Sequence, residues 1–284
     1  MGPIGYNSDQ SMIVLPYLSI IQASGPDAGS FLHAQLSADV ASLGDGEAGF
    51  ACYCNPQGQV LALLLLGRRG NDFQIVCASS LAESVVKRLG MFVLRARVQL
   101  ILTSGRHVVG LNPGDALAPG SMLLPPREVA LQYGLIADGG EQEHGSESWQ
   151  AGELIRGIAW LQPATSGRFL PQMLGLDRFG AVSFSKGCYP GQEIIARARY
   201  LGTVKRLPLR LRIEGKADLG AGDACVLHSS GRTIEAVVVE SVSTAPDETT
   251  VFAVAPLAVG EPVDLLASGA TSWTARRLDA GVGA

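Results

Sequence analysis

Lys186-Gly187-Cys188-Tyr189-Pro190-Gly191-Gln192-Glu193 sets a cation, a thiol, an aromatic ring and a carboxylate among two glycines and a proline, and Ile194-Ile195-Ala196-Arg197-Ala198-Arg199 follows it. The preceding stretch, Ala181 to Phe184, reads as strand-like. If the backbone stays extended, Lys186 and Cys188 fall on one face, and an ammonium there favours the thiolate. Gly191-Gln192-Glu193 can open a helix running through Ile194, Ile195 and Ala198, with Gly202 as its stop. A cysteine just ahead of a helix start feels the positive end of the dipole, which also lowers its pKa. Two effects therefore converge on Cys188 as a reactive thiol with Lys186 beside it. The competing reading keeps Cys188 as a small inert turn residue and gives Gly187 and Gly191 to backbone geometry alone.

Charge separates this segment from its surroundings. From Lys186 to Arg206 there are five basic residues (Lys186, Arg197, Arg199, Lys205, Arg206) and one acid, Glu193, a local charge of +4 in a chain of net charge −4. Arg197 and Arg199 diverge by about 200° around a helix, so they do not form one flat patch. The run reads either as a solvated helix end favoured by cations or as an anion site for a multiply carboxylated ligand. A chain that is acidic overall sets a general nucleic-acid binder aside.

The five cysteines (Cys52, Cys54, Cys77, Cys188, Cys225) are odd in number and irregularly spaced. Met1 to Gln10 lacks the basic-then-apolar pattern of a secretory signal. Together these features predict reduced thiols in a cytoplasm. The longest apolar run, Val60 to Leu66, is well short of the ~20 residues a spanning helix needs, so no membrane association is expected. His33, His107, His144 and His228 are scattered without metal-ligand spacing, and no metal is expected. Cys52-Tyr53-Cys54, on a strand, points both thiols to one face, most simply as two small strand residues.

Working outward, Met12 to Ile21 reads as a strand, and Asp27 as the N-cap of a helix carrying Phe31, Leu32, Gln35 and Leu36. Asn55-Pro56-Gln57-Gly58 is a turn between strands 49–54 and 59–66, and the continuous apolar run in the second strand predicts burial on both faces. Phe73 to Cys77 is a further strand, Leu81 to Leu89 a helix and Val93 to Leu102 a strand. Gly134 to Ser148, with Glu141, Glu143 and Glu147, reads as a solvated loop, and Trp149 to Trp160 as helix then turn. Pro163 to Phe184 is irregular, as segments lining functional sites often are. After Arg206, five or six short strands between glycine, proline and aspartate turns predict a small antiparallel barrel or sandwich. The boundary divides the chain into 1–205 and 206–284.

The eight residues from Lys186 to Glu193 resemble the signature of the YgfZ family, K-G-C-Y-x-G-Q-E, with Pro190 at its variable position. Gly25 to Val40, Cys54-Asn55-Pro56-Gln57-Gly58-Gln59 and Phe169-Leu170-Pro171-Gln172-Met173 are similar to further family segments. The likeness spans roughly residues 12 to 206. That family is related to the tetrahydrofolate-dependent aminomethyltransferase of the glycine cleavage system.

The resemblance implies an α+β fold: a three-domain ring of the aminomethyltransferase type with a C-terminal antiparallel β-barrel. Residues 1–205 would be the folate-binding part, two interleaved α+β subdomains. It also implies tetrahydrofolate or a derivative as cofactor, and a role in synthesis or repair of iron–sulfur clusters in other proteins, tRNA-modifying enzymes included. Partners would be iron–sulfur proteins or their assembly factors. Cys188 and Lys186 are then the catalytic candidates. Gly187, Tyr189, Gly191, Gln192, Glu193, Arg197 and Arg199 are the candidates for folate binding.

The chain departs from its relatives in places. The aminomethyltransferase has a catalytic aspartate shortly after its hairpin glycine, whereas no acid follows Gly58 until Asp72, so enzyme status stays open. Arg156 is displaced from the family's arginine position, and Gly175 replaces a more usual asparagine. Two other readings stand beside the main one: a folate-dependent aminomethyl transferase, and a non-catalytic adaptor docking cluster-carrying partners through residues 207–284.

Overall fold

Three β-sheets organise the computed structural model, which describes residues 12–111, 122–124, 132–137, 145–202, 204–229, 232–245, 247–256, 265–269 and 271–278. The first predicted strand is two, β1 (Met12–Val14) and β2 (Leu18–Ser24). A turn at Pro16-Tyr17 parts them, and they join different sheets. Helix α1 (Ala28–Gln35) follows, but Asp27 makes no side-chain cap. Its carboxylate instead accepts from the Arg97 main-chain N–H (2.8 Å), Nε (3.1 Å) and Nη2 (3.0 Å). A charged fork outcompetes a single orphan amide.

The hairpin forms as β3 (Ala48–Cys54) and β4 (Val60–Arg69), followed by β5 (Asp72–Ala78), α2 (Ser79–Gly90) and β6 (Gln99–Leu102). Only the end of the predicted 93–102 strand is extended. The sheet runs β3-β4-β5-β2-β6, and β4 lies inside it. Leu63, Leu64 and Leu65 are fully buried there, as a continuous apolar run demands. Each such side chain is worth about 1.5–3 kcal/mol of burial.

The second sheet, in the order β1-β7-β9-β8, contains β7 (Arg106–Leu111), β8 (Met122–Leu124) and β9 (Gln132–Ala137). The expected 134–148 loop is thus strand at its start. At its end, Gly145, left-handed at φ 96°, opens α3 (Ser146–Arg156). Glu141 and Glu143 lie outside the described residues. From 157 to 191 the chain is irregular apart from two short 3-10 turns, Pro171–Leu174 and Leu176–Phe179, and α4 (Gln192–Tyr200) comes next.

The third sheet is a barrel of β10 (Arg206–Glu214), β11 (Ala224–Ser229), β12 (Arg232–Ala245), β13 (Glu248–Pro256), β14 (Leu265–Ser268) and β15 (Thr271–Arg277). Pairing runs β10-β13-β12-β11-β14-β15, and β15 returns to β10 through Leu211↔Arg277 and Ile213↔Ala275. Leu209, Leu211, Ile213, Leu227, Val238 and Val251 fill its core.

A polar knot ties α3 to the second sheet, to the barrel and to the turn between β1 and β2. Glu153 of α3 accepts from Tyr17 Oη (2.7 Å), Tyr133 Oη (2.6 Å) and Trp160 Nε1 (3.0 Å). Glu240 of β12 accepts from Gln150 Nε2 (2.6 Å) and from the Trp160 main-chain N–H (2.7 Å). Both carboxyls are buried among neutral donors. Desolvation raises Glu153 to about 7 and Glu240 to about 8. Each keeps its proton where an exposed carboxyl would have lost it.

Candidate functional site: the Cys188 loop

The loop is fastened at both ends to the β3–β4 hairpin and the end of α1. Before it, Ser183 N donates to Ser37 O (2.8 Å), while Ala181 O accepts from Cys52 N (3.3 Å) and Ser37 Oγ (2.5 Å). The chain there runs beside β3 without forming a strand of its own. After the loop, Gly191 sits at φ +81° against the hairpin turn. A Cβ on it would lie 2.5 Å from Gly58 Cα and 2.6 Å from Asn55 O. That turn is closed by Gly58 N→Asn55 O (2.9 Å) and Gln59 N→Asn55 Oδ1 (2.9 Å). The glycine of the motif is therefore required twice, by its dihedral and by close backbone approach. Two of the sequence segments that carry the resemblance are thus packing partners.

Lys186 and Cys188 do not share a face. Ser185 and Lys186 lie in a bend, Lys186 is buried and Cys188 exposed. The Lys186 ammonium turns inward and donates to Leu36 O (2.7 Å), Ala38 O (3.1 Å) and His33 O. These carbonyls lie at the C-terminal end of α1 and in the turn after it, where helical acceptors run out of partners and the dipole favours a cation. Burial lowers the Lys186 pKa to about 8, opposed by Asp39. The Tyr189 ring lies 5.2 Å from the same nitrogen. Tyr189 Oη is buried without a partner, and burial pushes its pKa up.

Cys188 is exposed, whereas the other four thiols are buried. Burial raises Cys77 to about 12 and Cys225 to about 11. Cys54 is raised well above its ordinary value by its hydrogen bond with Cys52 and by burial. Cys52 and Cys54 thus do meet on one face of β3, beneath Tyr189, whose hydroxyl feels both. Gly187 is exposed, has open space where a Cβ would stand and has no positive φ.

The remaining candidates divide between packing and solvent. Gln192 Nε2 donates to Lys186 O (3.3 Å). Glu193 and Arg197 are exposed on α4. Arg199 stacks 4.3 Å over Phe184 and stands 4.0 Å from Asp177, its side chain half-exposed. Phe184 also meets Tyr200 edge-on at 6.2 Å. The approach to Cys188 thus runs antiparallel to α4, a placement no spacing rule could have supplied. Arg156 bonds Gly152 O of its own helix (3.1 Å), and Gly175 is left-handed at φ 70°. Among the described residues no group of three or more His, Cys, Asp or Glu side chains could hold a metal, and no helix is long and apolar enough to cross a membrane.

Sequence reasoning missed Ser37, Asn55 and Gly58 as supports of the loop. Gly58 in a turn before an apolar strand carried the only signal, a demand for positive φ.

No family model matches the chain. Its curated relatives include the tRNA-modifying protein YgfZ of Edwardsiella ictaluri, 30% identical over 224 residues, 68% of each chain. The proteins of that name from Klebsiella pneumoniae and Escherichia coli O7:K1 are each 27% identical, over 227 and 256 residues. The Klebsiella match covers 69% of each chain; the Escherichia match covers 79% of this chain and 76% of the relative. Among solved structures, glycine cleavage system aminomethyltransferase T from Bartonella henselae superposes with a TM-score of 0.71 over 94% of this chain and 84% of its own, at 16% identity. The fold is of the aminomethyltransferase type. By its likeness to the Edwardsiella protein and the loop just described, the chain belongs to the YgfZ family.

Proposed function

We propose that this protein binds a folate and supports the synthesis or repair of iron–sulfur clusters in other proteins, tRNA-modifying enzymes among them, with Cys188 as its functional thiol. One observation carries the reading: of five cysteines only Cys188 is exposed, and it stands in a loop fastened on both sides. Gly187 adds to it, because a glycine with open space and ordinary dihedrals has no internal duty and suits close approach by another molecule. The relatives' name, tRNA-modifying protein, supports the setting in which such clusters are used.

The three sheets are read as the three lobes of an aminomethyltransferase-type ring, with residues 1–205 carrying the folate and 206–284 forming the barrel domain. The exposed guanidinium of Arg197 and the half-exposed one of Arg199 fit the carboxylates of a folate tail. When bound, folate supplies a one-carbon carrier, while this chain orients it and presents the thiol. Iron–sulfur proteins or their assembly factors are the proposed partners, in the cytoplasm.

Aminomethyl transfer is the weaker reading. Gln59, following the hairpin glycine, accepts from Asn55 Nδ2 (2.9 Å), and Asp72 sits at the far end of β4, opposite Arg69. Deleting the gene should lower the activity of cluster-containing enzymes, and Cys188→Ala should fail to restore it. Full restoration by that variant would remove Cys188 from the function. Folate is tested by calorimetric titration with tetrahydrofolate, where Arg197→Ala should weaken binding about tenfold.

A further inference from the structure

We infer that Lys186 is a positioning residue whose buried ammonium pins the Cys188 loop to the C-terminal end of α1, about 150 residues earlier in the chain. This deepens the reading of Cys188 as the functional thiol and rests on it for its biological meaning. Three observations carry it. The first is stoichiometric: an ammonium has three N–H donors, and three main-chain carbonyls, of His33, Leu36 and Ala38, receive them. A neutral amine would leave one of these acceptors short. The second is position. Lys186 is anchored again through its own main chain, by its N–H on Ser183 Oγ (3.2 Å) and by its carbonyl accepting from Gln192 Nε2 (3.3 Å).

The third is what lies between the anchors. Gly187 and Cys188 make no hydrogen bond to any described residue and are exposed, whereas Tyr189 is buried and Gly191 is sealed against Gly58. The thiol is thus held out on a two-residue arch, Lys186 forming one footing and the Tyr189–Gly191 turn the other. Lys186 acts through this arch and is distinct from a group that touches the reacting atoms. The titratable groups facing its ammonium are His33 of α1, Asp39 of the following turn, and Tyr189.

Lys186→Met, which keeps the apolar stem and removes the donors, tests this by amide hydrogen exchange on the full chain. Protection at Ser183, Lys186 and Gln192 should fall about tenfold while the β3–β4 hairpin amides and the four buried thiols stay protected. Unchanged exchange at those three amides in a folded variant would overturn the inference. Should the variant not fold, the wild-type protein decides it. In an NMR pH titration the Lys186 side chain and the amides of Gly187 and Cys188 should share one midpoint; amides blind to that midpoint would overturn the inference. Full rescue by Cys188→Ala would remove the functional reading while leaving these two measurements to judge the arch.

Discussion

Two buried polar centres hold this molecule together, and they handle charge in opposite ways. At Lys186 a cation is surrounded by main-chain oxygens at a helix end, where the last carbonyls lack intrahelical donors. At Glu153 and Glu240 two acids face phenols, indoles and an amide, all neutral donors. The lysine can remain an ammonium because carbonyl oxygens replace its water. Among the described residues the acids hydrogen-bond to neutral groups alone, so burial shifts them toward the neutral form. One centre orders a single exposed loop, and the other joins α3 to two sheets and to the turn between β1 and β2.

The largest effect is expected at Gly191, the second footing of the Cys188 loop. Gly191→Ala drives a Cβ into the hairpin backbone at a left-handed φ, so it should cost about 3 kcal/mol or more in urea unfolding. The loop would lose its second footing while the acid centre stays intact.

The acid centre has its own signature with pH. Unfolded, both carboxyls lose their protons near 4.5; folded, they hold them to about 7 and about 8. Between those values the folded state binds more protons, so stability is fullest below 4.5 and is lost as pH rises to about 8. Unfolding free energy should therefore drop by a few kcal/mol between pH 5 and pH 9, measured by urea titration. Glu240→Gln should flatten that slope by about half. A slope unchanged in the variant would show that Glu240 does not hold a proton.

Chemical labelling sharpens the other side. Native protein treated with iodoacetamide should carry one label, at Cys188, with the four buried thiols at least about a hundredfold slower until denaturant is added. Mass spectrometry reads the ratio. The smallest effect belongs to Arg199→Ala. A stacked but half-exposed guanidinium, 4.0 Å from its carboxylate, should be worth less than about 1 kcal/mol. That variant should leave the labelling pattern unchanged.

Much of the architecture was legible along the chain. The Asn55–Gly58 turn, the apolar run after it, buried on both faces from Ala62 to Leu66, the helix after Gly191 and the strand-rich segment after Arg206 are local features with local causes. Other segments were misread where distant groups intervened. Asp27 left its cap for Arg97, and Gly134 joined a strand because β7 lay ready to pair with it. Lys186 was placed beside Cys188 by strand periodicity, but a bend sent its ammonium into α1.

The order of residues alone thus determined that Cys188 stands in a glycine-bounded turn ahead of a helix, inside a chain of the YgfZ family. Only the tertiary structure decided which of five thiols meets water, that Gly191 presses on Gly58, and that Glu153 and Glu240 share one knot. Dihedral preference and hydrophobic period act over a few residues. Desolvation, close backbone approach and hydrogen-bond satisfaction depend on what the rest of the chain brings to the same place.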